Sequence, residues 1–259
     1  MLPYHKTQGI VLKTRSYGET SKLLTMYTKA FGRINALAKG AKKIKSRFGS
    51  SMELFTESKM MLYKKSTAGL YLVSQTEIIS SFPGLSCEIT KFSTASVMSE
   101  FIYNFTPQGE ANSALYNFFR ASLDLLNGSN NEENILMAFM AKFLWLSGYK
   151  MHLKTCASCG KEIKMGPSYG THKRISARHG GVMCSECSHK EGDAVIVLNS
   201  TFKFLEYLQE KTYDKTGAIK AGETERKEIH KVITNFLEYN FEGGLRSLKV
   251  METMAKYGS

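Results

Sequence analysis

The sequence predicts an α+β, multi-domain chain: an N-terminal five-stranded barrel, then a helical domain with an inserted four-cysteine module. Three observations carry that expectation. Residues 1–80 hold five short apolar and β-branched runs and no long helix. After Phe82-Pro83-Gly84 the apolar residues recur at helical spacing. Within residues 152–190 that spacing lapses, and four of the five cysteines lie there. The expected divisions are a barrel domain at 1–80, a first helical part at 81–151, the cysteine module at 152–190 and a C-terminal helical part at 191–259.

The strand-like runs come in order. Gly9-Ile-Val-Leu-Lys-Thr14 and Leu23-Leu-Thr-Met-Tyr-Thr28 are rich in apolar and β-branched residues. Phe31-Gly-Arg33 reads as a turn, after which Ile34, Ala36 and Ala38 alternate with Asn35, Leu37 and Lys39. Met52 to Lys64 and Leu70 to Ile79 follow, linked by the small polar turn Ser66-Thr-Ala-Gly69. Five strands without a long helix suit a small closed barrel, of which the oligonucleotide-binding (OB) barrel is the commonest five-stranded candidate.

The helical part opens with Ile89, Phe92, Ala95, Met98, Ile102 and Phe105, closed by Pro107-Gln-Gly109. Leu115, Phe118, Phe119, Ser122, Leu123 and Leu126 make a second stripe that ends at Asn127-Gly128. A third helix starts near Asn130-Asn-Glu-Glu133, where polar caps and acids suit an N-terminus. It is apolar almost all round through Trp145, so it belongs at the centre of a bundle. After the cysteines, Phe204, Leu205 and Leu208 form a short stripe capped at Ser200 or Thr201. A polar linker spans Asp214 to Gly222, and Ile229, Val232, Ile233, Phe236 and Leu237 form the last stripe.

Cys156-Ala-Ser-Cys159 and Cys184-Ser-Glu-Cys187 are two C-x-x-C pairs with 24 residues between them. Each such turn presents two thiolates to one ion, and two turns complete a tetrahedral zinc sphere with no position left for water. The expected cofactor is therefore one structural zinc, held by Cys156, Cys159, Cys184 and Cys187. A redox pair would need a strand-helix context around one C-x-x-C, which is missing. His152, His172, His179 and His189 lie near enough in sequence to replace one cysteine. Cys87 stands alone and reads as a small buried hydrophobe.

The formal net charge is +12, which favours polyanionic partners, nucleic acid foremost. Lys39, Lys42, Lys43, Lys45 and Arg47 fall within nine residues, between the third and fourth predicted strands. Gly40, Ser46 and Gly49 make that loop adjustable, as phosphate contacts require. Tyr27, Phe31, Phe48 and Tyr63 are candidates to stack on bases, although an aromatic in a small barrel is more often core. No G-x-x-x-x-G-K-[ST], G-x-G-x-x-G or H-E-x-x-H occurs, and His189-Lys-Glu191 lacks the later C-x-x-C a deaminase needs. No catalytic residue is expected. Met1 to Gly18 does not read as a signal peptide, and Ile135 to Leu146 is too short to span a bilayer. The cysteines are not arranged as a secreted disulfide framework, so a cytoplasmic, reducing location is expected.

The run from Gly9 to Thr25, with Thr28, Gly32-Arg33 and the Ala38-Lys-Gly-Ala-Lys-Lys43 tract after it, resembles the RecO family of bacterial recombination mediators. Leu70-Tyr-Leu72 through Glu77, the helical region and the mid-chain cysteine pairs extend the resemblance over nearly the whole chain. It implies an OB-fold DNA-binding domain that takes single- and double-stranded DNA, with the basic loop at Lys39, Lys42, Lys43, Lys45 and Arg47. It implies annealing of complementary strands, and work with RecR, often RecF, to load recombinase onto DNA coated by single-strand-binding protein. It places the chain in the cytoplasm with the nucleoid and not at a membrane. Two other classes fit parts of the sequence: a zinc-containing repair enzyme such as a DNA glycosylase, and an RNA-binding OB protein. In the glycosylases the zinc finger lies near the C-terminus, whereas here the cysteines are mid-chain.

Overall fold

A computed structural model describes residues 4–64, 69–164, 170–189, 192, 194–210 and 221–240. Residues 66–68 of the turn expected at Ser66 to Gly69, and 214–220 of the linker expected at Asp214 to Gly222, lie outside the described residues. The chain divides into two compact units, one running to Asn130 and the other beginning at Asn131.

The first unit is built on β1 (Tyr4–Tyr17), β2 (Ser21–Thr28), β3 (Gly32–Ala38), β4 (Glu57–Lys64) and β5 (Tyr71–Ser80). The strands close into a barrel in the order β1-β2-β3-β5-β4, and β4 returns to β1. All pairings are antiparallel except that of β3 with β5. This is the OB barrel that the strand count predicts, closed between β3 and β5 by the short pairing of Ala36 and Leu37 with Tyr71 and Leu72. β1 serves two neighbours: Tyr4 to Ile10 pair with β4, and Gly9 to Tyr17 pair with β2. A bulge between Val11 and Lys13 bends the strand from one to the other. Inward-facing Val11, Leu24, Met26, Ile34, Ala36, Ala38, Leu62 and Val73 form the core, following the two-residue period of a pleated strand.

The Thr28 to Arg33 segment shows why particular residues are needed there. Thr28 Oγ1 accepts the Phe31 N–H at 3.1 Å and donates to the Gly32 carbonyl at 2.9 Å, closing the β2–β3 turn. Gly32 has φ of 58°, and a Cβ there would lie 1.8 Å from the Glu110 carbonyl oxygen, so only glycine fits. Arg33 then donates from Nε to the Thr106 carbonyl at 3.1 Å, and its own carbonyl accepts the Gly109 N–H at 2.9 Å. The strand expected over Met52 to Lys64 begins later, at Glu57. Gly49–Met52 form a 3-10 turn, and Phe55, buried at φ 65°, turns the chain so that its N–H reaches the Val11 carbonyl.

Among the described residues this unit also holds three helices: α1 (Gly84–Cys87), α2 (Ile89–Phe105) and α3 (Ser113–Gly128). Asn112 caps α3 by accepting the Leu115 N–H at 2.9 Å. In α2 the predicted stripe is buried from Ala95 onward, whereas Ile89 is exposed at the helix start. Cys87 is exposed too, contrary to its reading as a buried hydrophobe. The barrel and α3 are tied through Glu57, which is 3% exposed. Its carboxylate accepts the Tyr116 hydroxyl at 2.9 Å and the Arg120 Nε–H at 3.4 Å.

The second unit centres on α4 (Glu132–Leu146), in which every residue from Asn134 to Leu144 is buried, as its all-round apolar character predicts. Lys142 lies within that run, donating to the Gln209 carbonyl at 3.1 Å and stacking over Trp145 at 3.5 Å. Burial, with Lys150 nearby, holds its pKa below the ordinary lysine value. Helices α6 (Asn199–Glu210) and α7 (Glu223–Asn240) pack on α4. Strands β6 (His172–Ser176), β7 (Gly181–Met183) and β8 (Val195–Leu198) form a small sheet in the order β7-β6-β8, with the short α5 (Ser185–Ser188) after β7. Among the described residues, no helix is long and apolar enough to cross a membrane.

Candidate metal centre and nucleic-acid interface

The first cysteine pair sits in a knuckle closed by two backbone bonds. The Cys156 N–H donates to the Lys161 carbonyl at 2.8 Å, and the Gly160 N–H donates back to the Cys156 carbonyl at 2.8 Å. The second pair brackets the start of α5: Cys184 precedes it, and its carbonyl accepts the Ser188 N–H. Chain 152–157 runs beside β7 and aligns the two knuckles. His152 and Val182 bond through their backbones, and the Ala157 N–H reaches the Val182 carbonyl at 2.8 Å. A Cβ on Gly181 would lie 2.2 Å from the His152 carbonyl oxygen, so this close approach requires glycine.

As a result the Sγ atoms of Cys156, Cys159, Cys184 and Cys187 all lie within 4.8 Å of one another. Cys159 and Cys184 are 3.8 Å apart, close to the edge of a tetrahedron whose centre-to-sulfur distance is about 2.3 Å. The electrostatics ask for a cation. Burial raises the Cys156 pKa, but N–H donors from Cys184, Cys159 and Ser158 outweigh it and bring the thiol down to about 6. Hydrogen bonds with Cys184 and Cys159 hold the proton on Cys187, pushing it up to about 12. Four thiolates this close repel one another, and a divalent ion at their centre removes the conflict. The residues therefore fit a closed metal site. None of the four candidate histidines belongs to the cluster, and His172 and His179 bond instead to Thr171 and Ser176. Lys161 pairs with Glu186 at 2.7 Å across the two knuckles.

The basic tract connects β3 to the 3-10 turn at Gly49. Lys39, Lys42, Lys43, Lys45 and Arg47 are all exposed, and among the described residues none pairs with a carboxylate. The tract is less irregular than its composition suggests. N–H groups of Lys43, Ser46 and Gly49 each reach the carbonyl three residues back, and the Lys42 N–H bonds to the Thr20 carbonyl at 2.8 Å in the β1–β2 turn. Two of the four base-stacking candidates are core, the commoner place for an aromatic in a small barrel: Tyr27 is buried against Tyr116, and Phe48 is buried in the barrel cluster. Phe31 is partly buried against the barrel core, and Tyr63 is partly buried beside Tyr4. The Glu57–Tyr116–Arg120 group was not foreseen, since a lone acid at a strand start and a tyrosine in an apolar stripe carry no signal of their pairing.

An OB barrel bearing cations without carboxylate partners among the described residues, and a second unit whose four thiols could hold a metal ion, define a class of basic OB proteins with a four-cysteine candidate metal site. The description "Recombination protein O N terminal" matches residues 1–82, and "Recombination protein O C terminal" matches residues 88–249. The chain is 32% identical to the DNA repair protein RecO of Alkaliphilus metalliredigens, covering 90% of this chain and 92% of that protein. It is 31% identical to the RecO of Caldanaerobacter subterraneus subsp. tengcongensis, over 93% and 95% of the two chains. With the RecO of Frankia casuarinae it shares 31% identity over 97% of this chain and 99% of that one. The chain belongs to the RecO family of DNA repair proteins.

Proposed function

We propose that this protein is a non-enzymatic recombination mediator that anneals complementary single strands and helps load recombinase onto DNA coated by single-strand-binding protein. The observation that carries the reading is the set of five exposed cations, without carboxylate partners among the described residues, on an OB barrel in a RecO-family chain. Lys39, Lys42, Lys43, Lys45 and Arg47 hold phosphates of single- or double-stranded DNA. Complementary strands repel through those phosphates, and a protein at +12 screens both at once. Base pairing then drives annealing without a nucleotide. RecR, often with RecF, and single-strand-binding protein are the expected partners, in the cytoplasm with the nucleoid.

The metal in this reading is zinc, held by Cys156, Cys159, Cys184 and Cys187 as a cross-link within a module spanning 152–190. Zinc supplies folding energy there and no reaction chemistry, because four thiolates leave no open position. The test is annealing of complementary strands pre-coated with single-strand-binding protein. Annealing without ATP supports the proposal; strict ATP dependence, or nicked or base-depleted products, overturns it in favour of a repair enzyme. RNA outcompeting single-stranded DNA would favour the RNA-binding class.

A further inference from the structure

The five cations surround one side chain that phosphate binding does not use. Ile44, between Lys43 and Lys45, has 105% of its reference area exposed. A single exposed isoleucine is ordinary on a protein surface. Here, however, the backbone holds it outward. The Lys43 carbonyl accepts the Ser46 N–H at 2.9 Å, so Ile44 is the first central residue of a tight turn. The Lys42–Thr20 bond pins that turn to the β1–β2 turn, and β1 ends there in another exposed apolar residue, Tyr17. No acid lies between Lys39 and Met52. The residues placed to meet bases are thus not the buried Tyr27 and Phe48 but an aliphatic side chain at the tip of the cationic loop.

We infer that Ile44 is an apolar wedge that packs against and inserts between bases of the DNA strand whose phosphates the neighbouring lysines hold. The inference rests on the basic tract being the DNA site. Lysines neutralise the backbone but do nothing to base faces, which are the only large apolar surfaces a polyanion of this kind offers. Wedges of isoleucine and leucine between base steps partly unstack them. On a single strand the consequence is useful for annealing: unstacked bases lose intrastrand structure and present their pairing edges. An acidic protein surface would suit the lysines but would leave Ile44 without a specific role.

The experiment uses the full-length, metal-loaded protein and a single-stranded oligonucleotide carrying 2-aminopurine. The wild type should raise 2-aminopurine fluorescence on binding. Ile44→Ser should abolish the rise and weaken binding about 10-fold, with the salt slope unchanged because no counterion contact is lost. Ile44→Leu should retain both properties. If Ile44→Ser binds and unstacks like the wild type while Lys42→Ala/Lys43→Ala/Lys45→Ala flattens the salt slope, the wedge is wrong and the DNA site stands. If the triple substitution leaves the slope unchanged, the site itself lies elsewhere and the wedge falls with it.

Discussion

Replacing Cys156 by serine should release the metal more readily than replacing Cys159, because the two thiols sit in different surroundings. Structural zinc in small peptides is worth about 10–16 kcal/mol, or roughly 2.5–4 kcal/mol for each of four thiolates. At about 1.4 kcal/mol per tenfold, loss of one ligand should lower zinc affinity on the order of 100- to 1000-fold. Cys156 is 2% exposed and accepts the Cys184 N–H at 3.3 Å, whereas Cys159 is exposed. A serine at 156 would leave that donor poorly met in a buried place, so its loss belongs at the upper end of the range and that of Cys159→Ser at the lower. Competition against a chromophoric chelator measures the affinities, and elemental analysis gives the stoichiometry, expected to be one zinc per chain. Hydrogen exchange should accelerate over the described parts of 152–188 in Cys156→Ser. Equal affinity in both variants and wild type, or a wild type that takes up no zinc, would refute the reasoning.

Other outcomes follow from the barrel unit. Five phosphates neutralised on a single strand give a salt slope of roughly −3.5, so affinity should fall about 100-fold between 50 and 200 mM salt. Changing Lys42, Lys43 and Lys45 to alanine should flatten the slope and weaken all sequences alike, as read by fluorescence anisotropy. Tyr116→Phe leaves the buried Glu57 carboxylate with only the partly exposed Arg120, and should cost about 1–3 kcal/mol in a thermal or urea melt. An unchanged midpoint would show that the tie contributes nothing. Burial raises the pKa of both Tyr27 and Tyr116 above the ordinary 10.0, with Glu57 adding to the effect at Tyr116. A raised native pKa means the native state binds more protons above pH 10. The stability these hydroxyls contribute is therefore intact below pH 10 and lost as pH rises beyond it. Absorbance at 295 nm should show two tyrosines ionising only as the protein unfolds.

The sequence exposed the fold well where periodicity is strong and local. Alternation marked β3, all-round apolar character marked α4 as a core helix, and C-x-x-C spacing marked the four-cysteine cluster. It failed where the chain doubles back on itself. Phe48 looks like a free aromatic beside a basic loop, yet it is buried because the stretch holding Ala41, Phe48, Met52 and Leu54 folds against the barrel core. Glu57 looks like one more surface acid, and only the approach of α3 makes it a buried acceptor. Composition likewise cannot tell a mobile lysine loop from one built of successive turns, because the difference lies in backbone bonds such as that from Lys42 to Thr20.

Those same bonds separate two kinds of residue in the N-terminal segment that resembles the family. Thr28, Gly32 and Arg33 spend their side chains or backbone on the β2–β3 turn and on its junction with the Thr106 to Glu110 segment. They are committed to shape and have little left to offer a ligand. Lys42, Lys43 and Lys45 make the opposite choice: the Lys42 and Lys43 N–H groups are bonded within the fold, and all three ammonium groups are exposed. A loop held by successive turns and by a bond to the β1–β2 turn can present its charges with less ordering by the ligand, which lowers the entropic cost of gripping a flexible strand. Substituting Gly32 should therefore impair DNA binding only through loss of the fold, whereas the lysines should be replaceable without loss of stability. The family's most recognisable residues and its DNA-contacting residues are thus expected to be neighbours in sequence with separate work.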